Sequence, residues 1–407
     1  MFFLKGFVTF LHDIRPNLDE PAAKAKLTRR ARKRSVRILL ISAYEASSHK
    51  AWANTLMDGL GQHEWEYLSL PARHFAWRIR GNAMSLAFDP QFKPILDKSY
   101  DLVLATSMTD VVGLKAFCPN LQNLPWLLYF HENQFAYPAS DKQQGLIEMQ
   151  MVTLYSALAA DTCIFNSQFN KTSFFAGARA LLKKLPDYVS PDWLNDTEAK
   201  AQVLPVPLDI PVSVEALLLA EEDVNLKTQS KRVKLVWSAR WEFDKGPDRL
   251  LAILEALEHR ELDYEIAILG EQFRSIPKEF AQIKAQFSHR ITQFGFAPSR
   301  ADYLRFLASS DMVLSTALHE FQGLAVLEAV ALGCVPVLPN RQVYPELFTQ
   351  TSNGDQYLYQ SDLNNIKQEA KHAVDLIEQL TKQNVAAPSV DQYRKDRLLE
   401  KYAGLIG

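Results

Sequence analysis

The chain has 407 residues, 47% of them apolar, with 45 basic and 47 acidic side chains and a formal net charge of −2. That length exceeds one ordinary domain and suits two. The composition excludes a disordered chain and a globally basic nucleic-acid binder, and no apolar run reaches membrane-spanning length. Any surface for nucleic acid must therefore be local.

Residues 1–35 stand apart from the rest. Met1 to Leu11 is apolar but interrupted by Lys5, without the basic leader or small-residue cleavage site of a signal peptide. Lys24, Lys26, Arg29, Arg30, Arg32, Lys33, Arg34 and Arg37 then place eight cations in fourteen positions. Such a tract suits RNA phosphates or anionic lipid; equally, it reads as a solvated, poorly ordered extension.

From Val36 onward strand and helix signals alternate, which predicts an α/β chain of two Rossmann-like halves. The first, residues 36–208, has apolar runs at Val36–Ile41, Leu102–Ala105, Trp126–Phe130 and Thr162–Phe165. A helical pattern covers Leu146 to Ala160, and Pro186 to Asp196 reads as a loop insertion. Leu204-Pro205-Val206-Pro207-Leu208, followed by a charged stretch around Glu221 to Arg232, marks the hinge. The second half, 209–375, has runs at Val233–Trp237, Glu265–Leu269, Ile291–Phe294, Met312–Ser315 and Val335–Leu338. Helical signals begin near Leu363, and 376–407 is assigned as a terminal helical segment. Cys118, Cys163 and Cys334 lie near apolar residues without metal-ligand spacing. They read as buried thiols in a reducing, cytoplasmic setting.

The chemistry concentrates in the second half. After the strand at Met312 to Leu314, Leu324, Leu327 and Ala331 recur at helical spacing. Glu320 then falls in a strand-to-helix turn and Glu328 about two turns into the helix, on roughly the same face. The amides of Phe321 to Leu324, with Gly323 among them, are expected to point into that space and suit phosphate. Carboxylates beside an anion site fit a nucleotide-sugar, although this spacing by itself recurs by chance. Upstream, the Val233–Trp237 strand leads to Arg240 and, five residues on, Lys245, with Gly246-Pro247 opening a helix. At the carboxyl ends of parallel strands, these cations could neutralise a leaving diphosphate. Alternatively they are surface cations paired with Glu242 and Asp244.

Together these segments resemble the retaining glycosyltransferases of the GT-B fold, the large family that includes sucrose synthase and many mannosyltransferases. The resemblance implies that Arg240 and Lys245 hold the donor diphosphate, Glu320 orients the donor sugar and Glu328 binds the ribose. It also implies a terminal helix that crosses back to the first domain. Ile38 to Lys50, Leu70 to Arg80, Tyr129 to Gln134 and Tyr344-Pro345-Glu346 are similar to motifs of one branch, the tRNA-queuosine α-mannosyltransferases. That likeness runs from about Val36 to about Phe348. It implies GDP-mannose as donor, queuosine in the anticodon of a tRNA of the aspartate type as acceptor, and no cofactor.

Within this scheme His131, after a β run at the first domain's carboxyl edge, is expected near the reacting sugar carbon. Ser47 and Ser48 stand where a GxGxxG fingerprint would lie; they permit close approach of a diphosphate or cap the following helix. Phe296 is a candidate wall for the base, or a core aromatic. Arg73, His74, Phe75, Trp77, Arg78 and Arg80 interleave cations with aromatics, which suits a splayed nucleotide. The same pattern fits an amphipathic helix with Phe75 and Ile79 buried. Asn133 is assigned to this acceptor side. No Asp-x-Asp occurs, so no metal site is expected. The competing readings are a transferase acting on lipid or polysaccharide at a membrane, a non-catalytic nucleotide- or RNA-binding module, and a dehydrogenase. The absent glycine fingerprint argues against the last.

Overall fold

The computed structural model describes residues 35–136, 146–210, 232–272, 275–351 and 353–407. The basic tract before Arg37 and most of the charged stretch after Leu208 lie outside the described residues.

The first domain is a parallel sheet of β1 (Arg37–Glu45), β2 (Glu64–Pro71), β3 (Leu102–Thr106), β4 (Trp126–Phe130), β5 (Thr162–Phe165) and β6 (Gln202–Val203), ordered β2-β1-β3-β4-β5-β6. Strand β1 shows why the run folds this way. Successive side chains point to opposite faces, so Ile38 and Leu40 enter one core cluster while Leu39 and Ile41 enter the other. Both faces are covered by helices, which explains the continuous apolar run.

The second domain is a parallel sheet of β7 (Val233–Ser238), β8 (Tyr264–Leu269), β9 (Ile291–Gly295), β10 (Met312–Leu314), β11 (Val335–Pro339) and β12 (Leu358–Tyr359). Its order is β12-β11-β10-β7-β8-β9, so the winding direction reverses between β7 and β10. Ligands of doubly wound sheets bind outside the strand ends at such a reversal. Arg240 follows β7 and Glu320 follows β10, which brings them to that crevice.

Two expectations need correction. Residues 192–200 form a helix, Asp192–Lys200, anchored by buried Leu194, so the segment from Pro186 is a loop only in its first part. The boundary at 375/376 cuts through one helix, Ile366–Gln383, whose Ala373, Val374, Ile377 and Leu380 complete the second domain's core. The terminal segment is instead the helix Lys395–Ile406. Its Leu398, Tyr402 and Ile406 pack into the first domain's core with Trp52 and Leu56. Tyr402 accepts a hydrogen bond from Trp52 Nε1 at 3.1 Å and donates one to the Pro205 carbonyl at 3.1 Å.

The domains also meet directly. Glu346 accepts the amides of Gln168 and Phe169 at 2.9 and 2.8 Å, satisfying orphan donors at the start of the helix Gln168–Leu182. The Gln322 side chain forms a two-way bond with the Val206 backbone, 2.9 Å in each direction. The Phe321 and Phe169 rings lie 5.9 Å apart. Among the described residues no helix is long and apolar enough to cross a membrane.

Candidate active site

The loops after β7 and β10 are stitched into one surface. The Trp237 indole donates to Thr316 Oγ1 at 2.8 Å, which itself donates to the Lys245 carbonyl at 2.8 Å. Leu318 and His319 donate their amides to the Asp244 carbonyl. Gly246 turns the chain at φ 66°, and a Cβ there would stand 2.2 Å from the Thr316 oxygen. Only glycine allows both the left-handed turn and this approach.

Lys245 is 8% exposed and surrounded by oxygens: His319 O at 2.8 Å, Glu320 Oε2 at 3.2 Å and Asp244 Oδ2 at 3.3 Å. Burial alone would favour the neutral amine, but the Glu320 and Asp244 carboxylates outweigh it and raise the pKa. Burial likewise pushes Glu320 up. The Lys245 ammonium and the Gly323 and Gln322 amides overcome it and hold that carboxyl at about 2. The site thus carries a fixed ammonium and a fixed carboxylate, held in place before any ligand arrives.

The amides expected to await phosphate are partly committed elsewhere. Phe321 and Gln322 donate to Glu320 Oε1 at 3.1 and 3.4 Å, so the turn orients its own carboxylate. Gly323, at φ 72°, caps the helix Leu324–Ala331 that begins with Leu324. Glu328 sits just over one turn into that helix, not two. It pairs with Arg300 and accepts from the Tyr303 hydroxyl at 2.9 Å. Arg240 is half-exposed and pairs with Glu242 at 2.8 Å. The cation–acid pairing considered from the sequence therefore exists, for Arg240 with Glu242 and for Lys245 with Asp244. Lys245, Glu320, Gly323, Ser238 and Tyr344 line one small cavity.

Across the cleft, the His131 ring stacks on His49 at 4.1 Å and meets Trp52 and Tyr129 edge-on. Burial, then the neighbouring His49, drives the His131 pKa well below its usual value, so the ring is neutral. His49 is lowered to about 4, chiefly by burial. Ser47 and Ser48 open the helix Ser47–Gly59; its cap is Ala46, and neither hydroxyl caps it.

Phe296 is 71% exposed, which rules out the core alternative and leaves its ring at the rim of the second domain. Helix Phe75–Phe88 buries Ile79, half-buries Phe75 and Arg78, and exposes Trp77 and Arg80; Arg73 and the N-cap His74, just before it, are exposed as well. Trp77 lies against Gly81, where a Cβ would meet its ring at 2.8 Å. Asn133 does not belong with them. It is 1% exposed, and its amide is consumed by Asn170, Ser173 and the Phe135 and Ala136 amides, so it shapes the loop.

Two features escaped the sequence. Glu132, next to His131, lies within the field of Arg240, Lys245, Asp244 and Glu242, and burial raises its pKa. Its place beside His131 was the available signal. Tyr303 and Arg300 carried no signal, since their contact with Glu328 is long-range.

The amino-terminal half, residues 37–208, matches the family described as tRNA-queuosine alpha-mannosyltransferase N-terminal. Residues 220–389 match the family of glycosyl transferases group 1. The tRNA-queuosine alpha-mannosyltransferase of Drosophila melanogaster is 36% identical over 315 residues, 76% of this chain and 81% of that protein. A GDP-mannose:cellobiosyl-diphosphopolyprenol alpha-mannosyltransferase of Xanthomonas oryzae is 23% identical over 30% of this chain and 32% of its own length. Among solved structures, HepE of Anabaena in complex with UDP and glucose superposes with a TM-score of 0.60 at 15% identity, covering 91% of this chain and 99% of that one. A UDP-forming trehalose-phosphate synthase of Burkholderia xenovorans gives 0.59 at 11%, over 91% and 98%. These two share the GT-B fold. With the crevice assembled as described and the match running through both halves, this chain is a GT-B glycosyltransferase and belongs to the tRNA-queuosine alpha-mannosyltransferase family.

Proposed function

We propose that this protein moves mannose from GDP-mannose to queuosine in the anticodon of a cytoplasmic tRNA of the aspartate type, retaining the anomeric configuration and using no metal. The observation that carries the reading is the pair of buried Lys245 with half-buried Glu320 beside Arg240, at the winding reversal of the second sheet. The name of the Drosophila relative supports the acceptor, and that of the Xanthomonas relative supports the donor.

In such a transfer the sugar–phosphate bond breaks as an oxocarbenium-like sugar forms, and charge gathers on the leaving diphosphate. Arg240 and Lys245 supply the balancing cations, and their contribution is largest where that charge is largest. Glu320 holds the sugar ring and Glu328 the ribose hydroxyls. His131, neutral, offers Nε2, which has no hydrogen-bond partner among the described residues, to a donor-sugar hydroxyl. The acceptor attacks from the face the diphosphate leaves, and the departing phosphate takes its proton. The exposed Arg73, Trp77 and Arg80, with half-buried Arg78, would receive the anticodon.

Incubation with GDP-mannose and queuosine-containing tRNA, followed by nucleoside mass spectrometry, tests this. A hexose-shifted queuosine is expected, and Glu320→Ala should abolish it. Hydrolysis of GDP-mannose without a shifted nucleoside would discard the tRNA and favour a lipid acceptor, as in the name of the Xanthomonas relative. Neither product would discard the donor. Because two cations take the place of a metal, the rate should also survive EDTA. Complete loss restored by magnesium or manganese would refute the metal-free mechanism.

A further inference from the structure

Glu328 does not stand alone. Helix Arg300–Ala308 follows the loop that carries Phe296, and its first turn presents Arg300 and Tyr303, three residues apart and hence on one face. Both reach Glu328. Arg300 forks onto it, with Nη2 on Oε1 and Nη1 on Oε2 at 3.3 Å, while the Tyr303 hydroxyl donates to Oε2 at 2.9 Å. Ser238, the last residue of β7, donates to the Tyr303 oxygen at 3.3 Å. Arg300 also lies over the Tyr303 ring, 5.0 Å from its centre.

One chain of polar contacts therefore runs from the strand end that leads to Arg240, through Tyr303, to Glu328 and Arg300. A carboxylate offers about four acceptor positions. Three are taken by Arg300 and Tyr303, and the open one lies on Oε1. Burial and the adjacent Glu328 lift the Tyr303 phenol well above its usual range, so it donates at every physiological pH. Arg300 is half-exposed and Tyr303 lies deeper, so the phenol is the fixed support and the guanidinium the outer one.

We propose that Tyr303 and Arg300 are positioning residues that fix Glu328 as a directed acceptor for one ribose hydroxyl, and that they set the preference for ribonucleotide donors. The proposal rests on the reading of Glu328 as the ribose carboxylate. Without Tyr303 the carboxylate would keep its charge but lose the deeper of its two supports, and Oε2 would no longer be fixed from both sides. Binding of the diphosphate would persist, while discrimination between nucleotides with and without ribose hydroxyls would fall.

The test is calorimetric affinity for GDP and 2′,3′-dideoxy-GDP, with UDP and dideoxy-UDP in parallel, the tighter-binding base being used. Wild type, Tyr303→Phe, Arg300→Ala and Glu328→Ala are compared by the ratio of the two dissociation constants. Wild type should favour the ribonucleotide, and Glu328→Ala should erase the preference. Tyr303→Phe should shrink the ratio severalfold, a part of the roughly tenfold or more that a ribose hydrogen bond to the charged Glu328 is worth. Its affinity for the dideoxy ligand should stay within twofold, a split that general loss of structure would not produce. Ratios in Tyr303→Phe and Arg300→Ala equal to wild type, with Glu328→Ala still erasing the preference, would overturn the positioning role alone. No preference in wild type would instead remove the ribose reading of Glu328, and this proposal with it.

Discussion

Lys245→Met should lower kcat by on the order of 10²–10³, the usual effect of removing one group that stabilises transition-state charge. Methionine fills the space of the lysine stem, so the change removes the ammonium while keeping most of the packing. Two effects follow from the same contacts. The leaving diphosphate loses a cation that Arg240, half-exposed and paired with Glu242, does not replace. Glu320 loses the charge that offsets its burial, so its pKa must rise from about 2. The sign for stability is fixed by that shift. Glu320 is depressed below the usual carboxylate value, so its contribution is complete above about pH 4.5 and is lost as pH falls toward 2. In Lys245→Met this contribution is reduced throughout, and acid unfolding should begin at higher pH. Single-turnover rates and acid titrations followed by circular dichroism check both statements. A rate within threefold of wild type would exclude Lys245 from the transition state.

The second large effect concerns a residue that does not line the Lys245–Glu320 cavity. Glu369 is fully buried between Arg249, at 3.1 Å, and Arg341, whose nitrogens reach both of its oxygens at 2.8 and 3.0 Å. It also accepts the Asp362 amide at 2.7 Å. Arg341 in turn holds the Ala317 and Thr316 carbonyls at 2.8 and 3.1 Å, in the loop that delivers Glu320. Glu369→Leu would leave the buried Arg341 guanidinium without its counter-charge and Arg249 with Asp248 alone, and breaking a buried pair in this way typically costs about 3–5 kcal/mol. Denaturant unfolding of the second domain should show that loss, and kcat should fall with it as the loop loosens. An unchanged unfolding midpoint would mean the arginines find other partners.

Most strands legible in the sequence share one property. β1, β3, β4, β5, β7, β8, β10 and β11 are largely apolar because parallel strands are covered on both faces, whereas β9, also legible, is a half-buried edge strand. β2 was not read as a strand: Glu64-Trp65-Glu66-Tyr67 alternates along an edge, where charge is tolerated. The two-residue β6 and β12 have no pattern to read. In the site, Arg240, Lys245, Glu320 and Glu328 stood out because strand ends announce crevices. What their neighbours do was hidden. Nothing along the chain shows that Glu320 would claim the Phe321 and Gln322 amides, or that Tyr303 would reach across to Glu328. Those facts belong to the packing of one element on another.

The helix Lys395–Ile406 has a consequence for how the protein is made. Leu398, Tyr402 and Ile406 are core residues of the first domain, yet they are synthesised after the whole of the second. At about 5–20 residues per second, roughly 10–40 s separate Leu208 from this helix on the ribosome. Throughout that interval the nascent first domain presents Trp52, Leu56 and their neighbours uncovered. Ribosome stalling or premature termination before Lys395 would therefore release a chain whose earliest domain is the one left open, and it is there that a chaperone would be expected to bind.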